Sequence, residues 1–484
     1  MQTPSVISNI TIEPSPDRWL SWLSSATVGS RAHRFREQLG LRADTPVIMS
    51  GHQAGFWHPG ILAKYLAMEA ASAMCLQRGL VNQTGWVCVD QDDNDAGLVR
   101  FPIRDPAGRL RECRWNLAAG GGGASAGVKG AAVSSQPSRA VPAPPDFDGE
   151  PALPSVPEAL ERIRISASRH STGCNFAQQL TRAALDLVRE IPVSLDAGPA
   201  PHQVFATRLA RTDLFAELME RLLADPARCV RAYNDAAARH PEAGIARLRA
   251  SGRIGLELPL WHLGAPDEFD IFPVSPRTRV TNLSLSADPA PALAHLAPRA
   301  LLMTAMLRLA GCDLFIHGTG GAAYDRVTEQ WIGDWLGESL APTGMVTATM
   351  LLPLAPPQAD ALAAPRAAWF AHRARHDPAL LGDHAAATEK ARLVRAIRDA
   401  RARGERPLSL YRRMHELLSG VRAQHSARLD QFAQAARTAR AAQADAALAA
   451  DRTWPFPLFP PEDLGRLATR IAAPFLQVSD SRAG

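Results

Sequence analysis

Three short stretches of this chain hold residue types that could do chemistry together. The first is Ser50-Gly51-His52-Gln53-Ala54-Gly55-Phe56-Trp57-His58, which follows the apolar run Val47-Ile48-Met49. The second is Asp90-Gln91-Asp92-Asp93-Asn94-Asp95, directly behind Trp86-Val87-Cys88-Val89. The third is His317-Gly318-Thr319-Gly320-Gly321-Ala322-Ala323-Tyr324-Asp325, behind Leu314-Phe315-Ile316. Histidines near a helix start can donate to a phosphate or carboxylate, or move protons near neutral pH. Their other role is to satisfy backbone carbonyls in a glycine-rich turn, and for His58 and Lys64 both roles stay open. Crowded carboxylates raise one another's pKa unless a cation or hydrogen-bonding substrate sits among them. Magnesium or a substrate ammonium would serve at Asp92, Asp93 and Asp95; an acidic surface loop is the plainer alternative. Asp95 and Phe101 occupy the positions where a calcium loop needs glycine and glutamate.

Gly318, Gly320 and Ala323 satisfy a loose dinucleotide-binding pattern, but no acidic residue ends the next apolar run, Met345 to Leu352. A phosphate or carboxylate held by Gly318, Gly320, Gly321 and the following helix start fits better than NAD. No phosphate-binding loop of the GxxxxGK[ST] type and no GxSxG nucleophile elbow occurs.

Each stretch must sit where a strand ends and a helix begins. Apolar spacing predicts a strand that breaks at Gly51 and a helix from Gly60 to Leu76, with Lys64 one turn in and Gly79 near its end. Gly85 to Val89 reads as a second strand, making a βαβ unit with both polar clusters on one edge. Helices are expected at Phe176 to Arg189, Gln203 to Ala224 and Leu293 to Leu309. Strands are expected at Ile191 to Leu195, Arg253 to Leu263, Cys312 to Ile316 and Met345 to Leu352. Ser15-Pro16-Asp17 can cap a lead-in helix carrying Trp19 and Leu23.

At 484 residues, with 46% hydrophobic residues, the chain can bury a large core. The division read from composition is 1–119 as the first part of the core, 120–150 as a flexible glycine- and proline-rich insertion, and 151–364 as the rest of the core with helical insertions. Residues 365–451 then form a helical hairpin and 452–484 a segment packing back on the core. In the hairpin, Leu410, Met414, Leu417, Val421, Leu429, Phe432 and Ala436 recur at steps of three and four, with a wider gap at His425. That spacing, with a break at Gly404-Glu405-Arg406-Pro407, predicts an antiparallel coiled coil.

The net charge of +5 is small for this length, which argues against a nucleic-acid partner. Arginine has nearly displaced lysine: only Lys64, Lys129 and Lys390 remain. The six cysteines form no CxxC pair, which argues against zinc and a disulfide framework, and Cys75 and Cys88 lie in apolar runs as buried thiols would. No stretch approaches a membrane-spanning length, and a reducing cytoplasm is the expected setting.

In order, the three stretches resemble the bacillithiol biosynthesis cysteine-adding enzyme family. His52-Gln53-Ala54-Gly55 is similar to that family's early glycine-rich motif, and Asp92-Asp93-Asn94-Asp95 loosely to its acidic motif, with Asn94 where the family has histidine. Pro298-Arg299-Ala300-Leu301-Leu302, ahead of Gly318 to Tyr324, resembles its arginine- and leucine-rich helix and the glycine-rich strand end after it. The resemblance implies an α/β fold with a Rossmann-like parallel-sheet core and a C-terminal coiled-coil hairpin supporting a homodimer. It also implies a ligase joining cysteine to a small amino-sugar conjugate such as glucosaminyl-malate, with ATP and magnesium as possible helpers. In that reading His52, Gln53, Asp92, Asp93 and Asp95 are catalytic. Gly51, Gly55, His58, Lys64, Arg299, His317, Gly318, Gly320, Gly321, Tyr324 and Asp325 bind substrate or phosphate. A nucleotidyl- or glycosyl-transfer enzyme on the same core, or a non-catalytic ligand-binding or dimerising protein, are the other readings.

Overall fold

The computed structural model describes residues 6–118, 128–192, 199–251, 255–286, 293–354 and 360–478. Its centre is a six-stranded sheet: β1 (Val6–Glu13), β2 (Val47–Gln53), β3 (Gln83–Val89), β4 (His202–Phe205), β5 (Leu314–His317) and β6 (Thr343–Leu351). In space the order is β1-β6-β5-β2-β3-β4. All neighbours are parallel except β1, which runs antiparallel to β6 at the edge. The chain therefore builds outward from β2 in one direction through β3 to β4, then returns to place β5 and β6 on its other side. That reversal lies between β2 and β5, where an open α/β sheet leaves a crevice at its carboxyl ends.

Alternate residues of the strands feed opposite layers, as the two-residue period of a strand requires. Val47, Met49, Val87 and Phe315 pack in one core with helix α2 (Ala300–Met306) and helix α3 (Thr319–Leu336). Ile48, Trp86, Cys88, Ile316 and Val346 pack in the other with helix α1 (Pro59–Gln77). Both faces of the sheet are thus covered, which explains the continuous apolar runs in its strands. Cys75 and Cys88 are buried and free, and burial pushes the Cys75 thiol up to about 12.

The first strand does not break at Gly51. It continues through His52 to Gln53, registered against Val89 of β3. Glycine is needed there for approach rather than for a turn, since a Cβ on Gly51 would lie 2.3 Å from the Val87 carbonyl oxygen. Helix α1 starts at Pro59, a residue whose fixed φ suits the first helical position. Its N-cap is His58, whose Nδ1 accepts from the Gly60 amide at 3.0 Å.

Several expected elements are reassigned. The helix expected over Leu293 to Leu309 begins only at Ala300, because Leu296–Pro298 pairs with Gly255–His262 and Pro298 resists helix on its N-terminal side. Residues 203–205, the start of the helix expected from Gln203, instead belong to β4, the long-range register Gly85↔His202 overriding local pattern. The helix itself starts at Asp213, capped by Thr212. The strand expected at Ile191 to Leu195 lies largely outside the described residues. The described part of the expected flexible insertion, 128–150, is instead built into the body: Ala132, Val133, Ser134, Ser135 and Val141 are buried. Its backbone supplies what the acidic loop needs, Ser134 donating to the Asp90 carbonyl at 3.0 Å and Val133 to that of Asp92 at 2.8 Å.

The C-terminal region is mainly helical, in four helices rather than two. Ala363–Ala374, His384–Ala402, Leu408–Gln424 and Ser426–Ala449 surround a small core of Ala374, Leu381, Ala386 and Val421, with Leu417, Leu429 and Phe432 against it. Trp454, Phe456, Leu458 and Phe459 are fully buried. Among the described residues no helix is long and apolar enough to cross a membrane.

The amino ends of β2 and β5 are joined by a buried ion pair. Arg36 Nη2 donates to both Asp313 oxygens at 3.0 and 2.9 Å, while the Asp313 carboxylate also accepts from the Val47 amide at 2.8 Å. Removing one partner strands the other charge in the core. Asp313→Ala is expected to lower unfolding free energy by about 3–5 kcal/mol in urea denaturation. The double variant Arg36→Met/Asp313→Leu is expected to recover part of that loss.

Candidate functional site: a cationic cavity at the sheet reversal

A cavity of 390 Å³ opens at the carboxyl ends of β2, β3 and β5, where the strand order reverses. Four parts of the chain make its polar walls. β2 gives Gly51, His52 and Gln53; the start of α1 gives His58 and Lys64; β5 and the start of α3 give His317, Gly318, Thr319, Gly320, Gly321, Tyr324 and Asp325. The fourth contributor, Arg452, comes from the closing segment. That segment is held by the Phe456 amide donating to the Trp57 carbonyl at 2.6 Å and by Asp451 accepting from Arg100 at 2.7 Å. Ile61, Val87, Leu301, Met303 and Phe315 form the apolar wall.

Helix α3 has no side-chain cap on its first turn, and its first backbone bond of the ladder is Ala322 to the Gly318 carbonyl. The preceding amides point at the cavity end of the helix, the standard setting for an anion. Facing them is Lys64, only 6% exposed. Its ammonium donates to the Gly51 carbonyl at 2.5 Å and lies 5.8 Å from the Trp86 ring centre. Among the described residues no carboxylate pairs with it, and burial alone lowers its pKa to about 7. A buried cation without a counter-ion is costly unless something anionic joins it.

The two histidines of the first stretch are poor proton carriers at neutral pH. Burial, then the nearby Lys64, lowers His52 to about 3. Burial, then Arg452 and Lys64, lowers His58 to about 4. Both are neutral at pH 7, and His58 already spends Nδ1 as the cap of α1. This corrects the expectation that they shuttle protons near neutrality.

The acidic run does not join the cavity as expected. Asp92 accepts from Arg277 Nη1 at 2.7 Å and from Gln53 Nε2 at 2.7 Å, and Asp93 pairs with the same guanidinium. Gln53 thus bridges the two clusters, lining the cavity on one side and holding Asp92 on the other. Asn94 donates to the Ala54 carbonyl at 3.1 Å. Asp93 and Asp95 instead line a second hollow of 650 Å³ with Lys129, Gln136 and Phe176. Gly55, at φ +129°, lies outside the cavity, and a Cβ there would lie 3.0 Å from the Ala96 carbonyl oxygen. Among the described residues no three His, Cys, Asp or Glu side chains gather as a metal site.

Arg299 also faces elsewhere: it donates to buried Glu257 at 2.6 Å and lies, like Arg277, over the Trp261 ring. Residues missed in the sequence are Arg452, Thr304, Thr347 and Arg277. Each comes from a part of the chain remote from the three stretches and carries no local motif; an arginine just past a long helical region was the one faint signal for Arg452.

No family model matches the chain, and no curated protein matches it.

The depressed lysine makes a signed prediction. The unfolded chain keeps the Lys64 proton up to about the ordinary lysine value of 10.5, whereas the folded chain releases it near 7. Between those values the unfolded state binds more protons, so native stability rises with pH. Wild type is therefore expected to gain stability relative to Lys64→Met between pH 7 and 9 in parallel urea titrations. Identical pH dependence in the two proteins would refute the buried, carboxylate-free lysine.

Proposed function

We propose that the chain is a Rossmann-like α/β enzyme whose cavity holds the anionic part of a small ligand, a phosphate or carboxylate. The observation carrying this is Lys64: a buried ammonium with no carboxylate partner among the described residues, opposite the uncapped start of α3. Arg452 adds a second cation at the mouth, and the apolar wall leaves room for a less polar portion of the same ligand. The strand order supports the Rossmann-like reading, since β4-β3-β2-β5-β6 has the 3-2-1-4-5 arrangement of nucleotide-binding sheets.

The resemblance to the bacillithiol cysteine-adding family gives the reaction we favour: amide formation between an amino acid, cysteine by resemblance, and a small amino-sugar conjugate such as glucosaminyl-malate. Forming an amide from a free carboxylate needs activation, for which ATP is the proposed source. Lys64, Gly318, Gly320 and Gly321 then hold the anion while His52 and Gln53 line its approach. The acidic run fits magnesium or a substrate ammonium poorly, because Arg277 already neutralises Asp92 and Asp93. In the same proposal the half-buried stripe of Leu410, Met414 and Leu429 forms a coiled-coil seam in a cytoplasmic homodimer.

A thermal-shift screen of ATP, cysteine and glucosaminyl-malate tests the reading, since a ligand at 100 times its dissociation constant adds about 2.7 kcal/mol to native stability. ATP is expected to raise the melting temperature. Lys64→Ala and Arg452→Ala should each weaken ATP binding roughly 10-fold or more, as loss of a charged hydrogen bond does, while Asp95→Asn leaves it unchanged. No shift with any of the three compounds would sink the ligase proposal.

A further inference from the structure

The cavity holds one histidine with a carboxylate behind it. His317 Nε2 lies 2.7 Å from Asp325 Oδ2, and the other oxygen of Asp325 lies 3.1 Å from Arg308 Nη1. The three side chains are 13%, 5% and 1% exposed. Arg308 comes from the π turn Leu307–Gly311 that ends the helix begun by α2, and is fixed by donating Nε to the Ala341 carbonyl at 2.8 Å. The carboxylate is therefore pinned from behind by an arginine that does not reach the cavity lining, while the imidazole in front of it does. These contacts are close but not in aligned hydrogen-bond geometry, leaving both Asp325 oxygens and His317 Nε2 buried and unsatisfied. Catalytic pairs often align only when ligand is bound.

The far nitrogen is placed as deliberately. Gly321 stands so close to the ring that a Cβ there would lie 2.3 Å from His317 Nδ1. Only glycine lets the imidazole stand with Nε2 toward Asp325 and Nδ1 beside the first turn of α3, where the anion is proposed to sit. The Phe315 ring, 4.6 Å away, backs the imidazole.

We infer that His317 is the proton acceptor of this cavity, with Asp325 as its positioning residue and Arg308 holding Asp325 in place. The inference rests on the cavity being a ligand site. Asp325 selects the tautomer that carries hydrogen on Nε2, which leaves the Nδ1 lone pair free. An amine or hydroxyl of the bound ligand passes its proton to Nδ1, and the imidazolium charge is balanced by Asp325. The groups facing this histidine or the cavity beside it are His58 and Lys64 from the start of α1, Tyr324 and Asp325 from α3, His52 from β2 and Arg452 from the closing segment. Among the described residues neither His52 nor His58 forms an ion pair with a carboxylate. In an amide-forming reaction, the amine that attacks must lose a proton, and this pair supplies the base that the acidic run, tied to Arg277, does not.

Diethyl pyrocarbonate, which acylates accessible neutral imidazole nitrogen, tests the pair on the full chain with mass-spectrometric mapping. His33, whose side chain is 47% exposed, is the internal reference. His317 is expected to react at least as fast as His33, and Asp325→Asn should slow it by at least about 10-fold through loss of the oriented tautomer. An unreactive His317 beside a reactive His33, or equal rates with and without Asp325, would overturn the inference. Protection by ATP separates the two readings: modification that is Asp325-dependent but unprotected supports the pair and removes ATP as the ligand. Because Asp325→Asn can weaken folding, ¹⁵N NMR of wild type gives a second measure. The Nε2–H form is expected for His317, and an Nδ1–H form would overturn the assignment.

Discussion

The site depends on a single buried charge pair at the opposite end of the sheet. Arg36 spans three connections at once: it donates to both oxygens of Asp313, to the Ala310 carbonyl at 3.2 Å and to the Thr45 carbonyl at 3.2 Å. Asp313 in turn takes the Val47 amide, the first donor of β2. The starts of β2 and β5 are thereby set level, giving the register Leu314↔Ile48, Phe315↔Met49, Ile316↔Ser50. A one-residue slip would turn every side chain of β5 to the wrong face. His317 would then leave the cavity and Phe315 the core. The cost of burying the pair is met by satisfying nearly every donor of the guanidinium, the condition under which a buried ion pair is tolerated.

At the carboxyl ends the same layers leave charge unpaired instead. Lys64 is surrounded by the sheet, Trp86 and α1, with the Gly51 carbonyl as its acceptor, and burial lowers its pKa to about 7. The two regions share one fold but opposite electrostatic logic. Where the sheet must be held, the charges are mutual; where a ligand is proposed to bind, they are left to be completed from outside. A binding site commonly stores such unfavourable terms, which the remaining core has to outweigh.

The acidic loop behind β3 belongs to both. Asp90, fully buried, accepts from the Thr207 amide and hydroxyl and fixes the loop to the end of β4, while desolvation raises its carboxyl to about 6. Asp92 and Asp93 hold Arg277, and Gln53 carries the contact back to the cavity wall. What looks in sequence like a cluster of free carboxylates is a structural joint between the sheet and the small sheet of Gly255–His262, whose Trp261 lies beneath Arg277 and Arg299.

The sequence by itself determined the strand–turn–helix units at Val47–Lys64 and Leu314–Asp325, because apolar runs, glycines and Pro59 act through local geometry and need no partner. It also marked Gly51, His52, Gln53, His58, Lys64, His317 and Asp325 by type and place, and all of them line one cavity. Element boundaries at 202–205 and 296–298 were not legible, since those residues become strands only by pairing with β3 and with Gly255–His262. Nor were the partners of the charges. Only the tertiary structure decided that Arg277 closes the acidic run, that Arg299 serves Glu257, that Arg452 reaches the cavity, and that Arg308 stands behind Asp325. Those contacts join residues far apart in the chain, and which opposite charge a side chain meets is settled by the packing of layers, not by its neighbours in sequence.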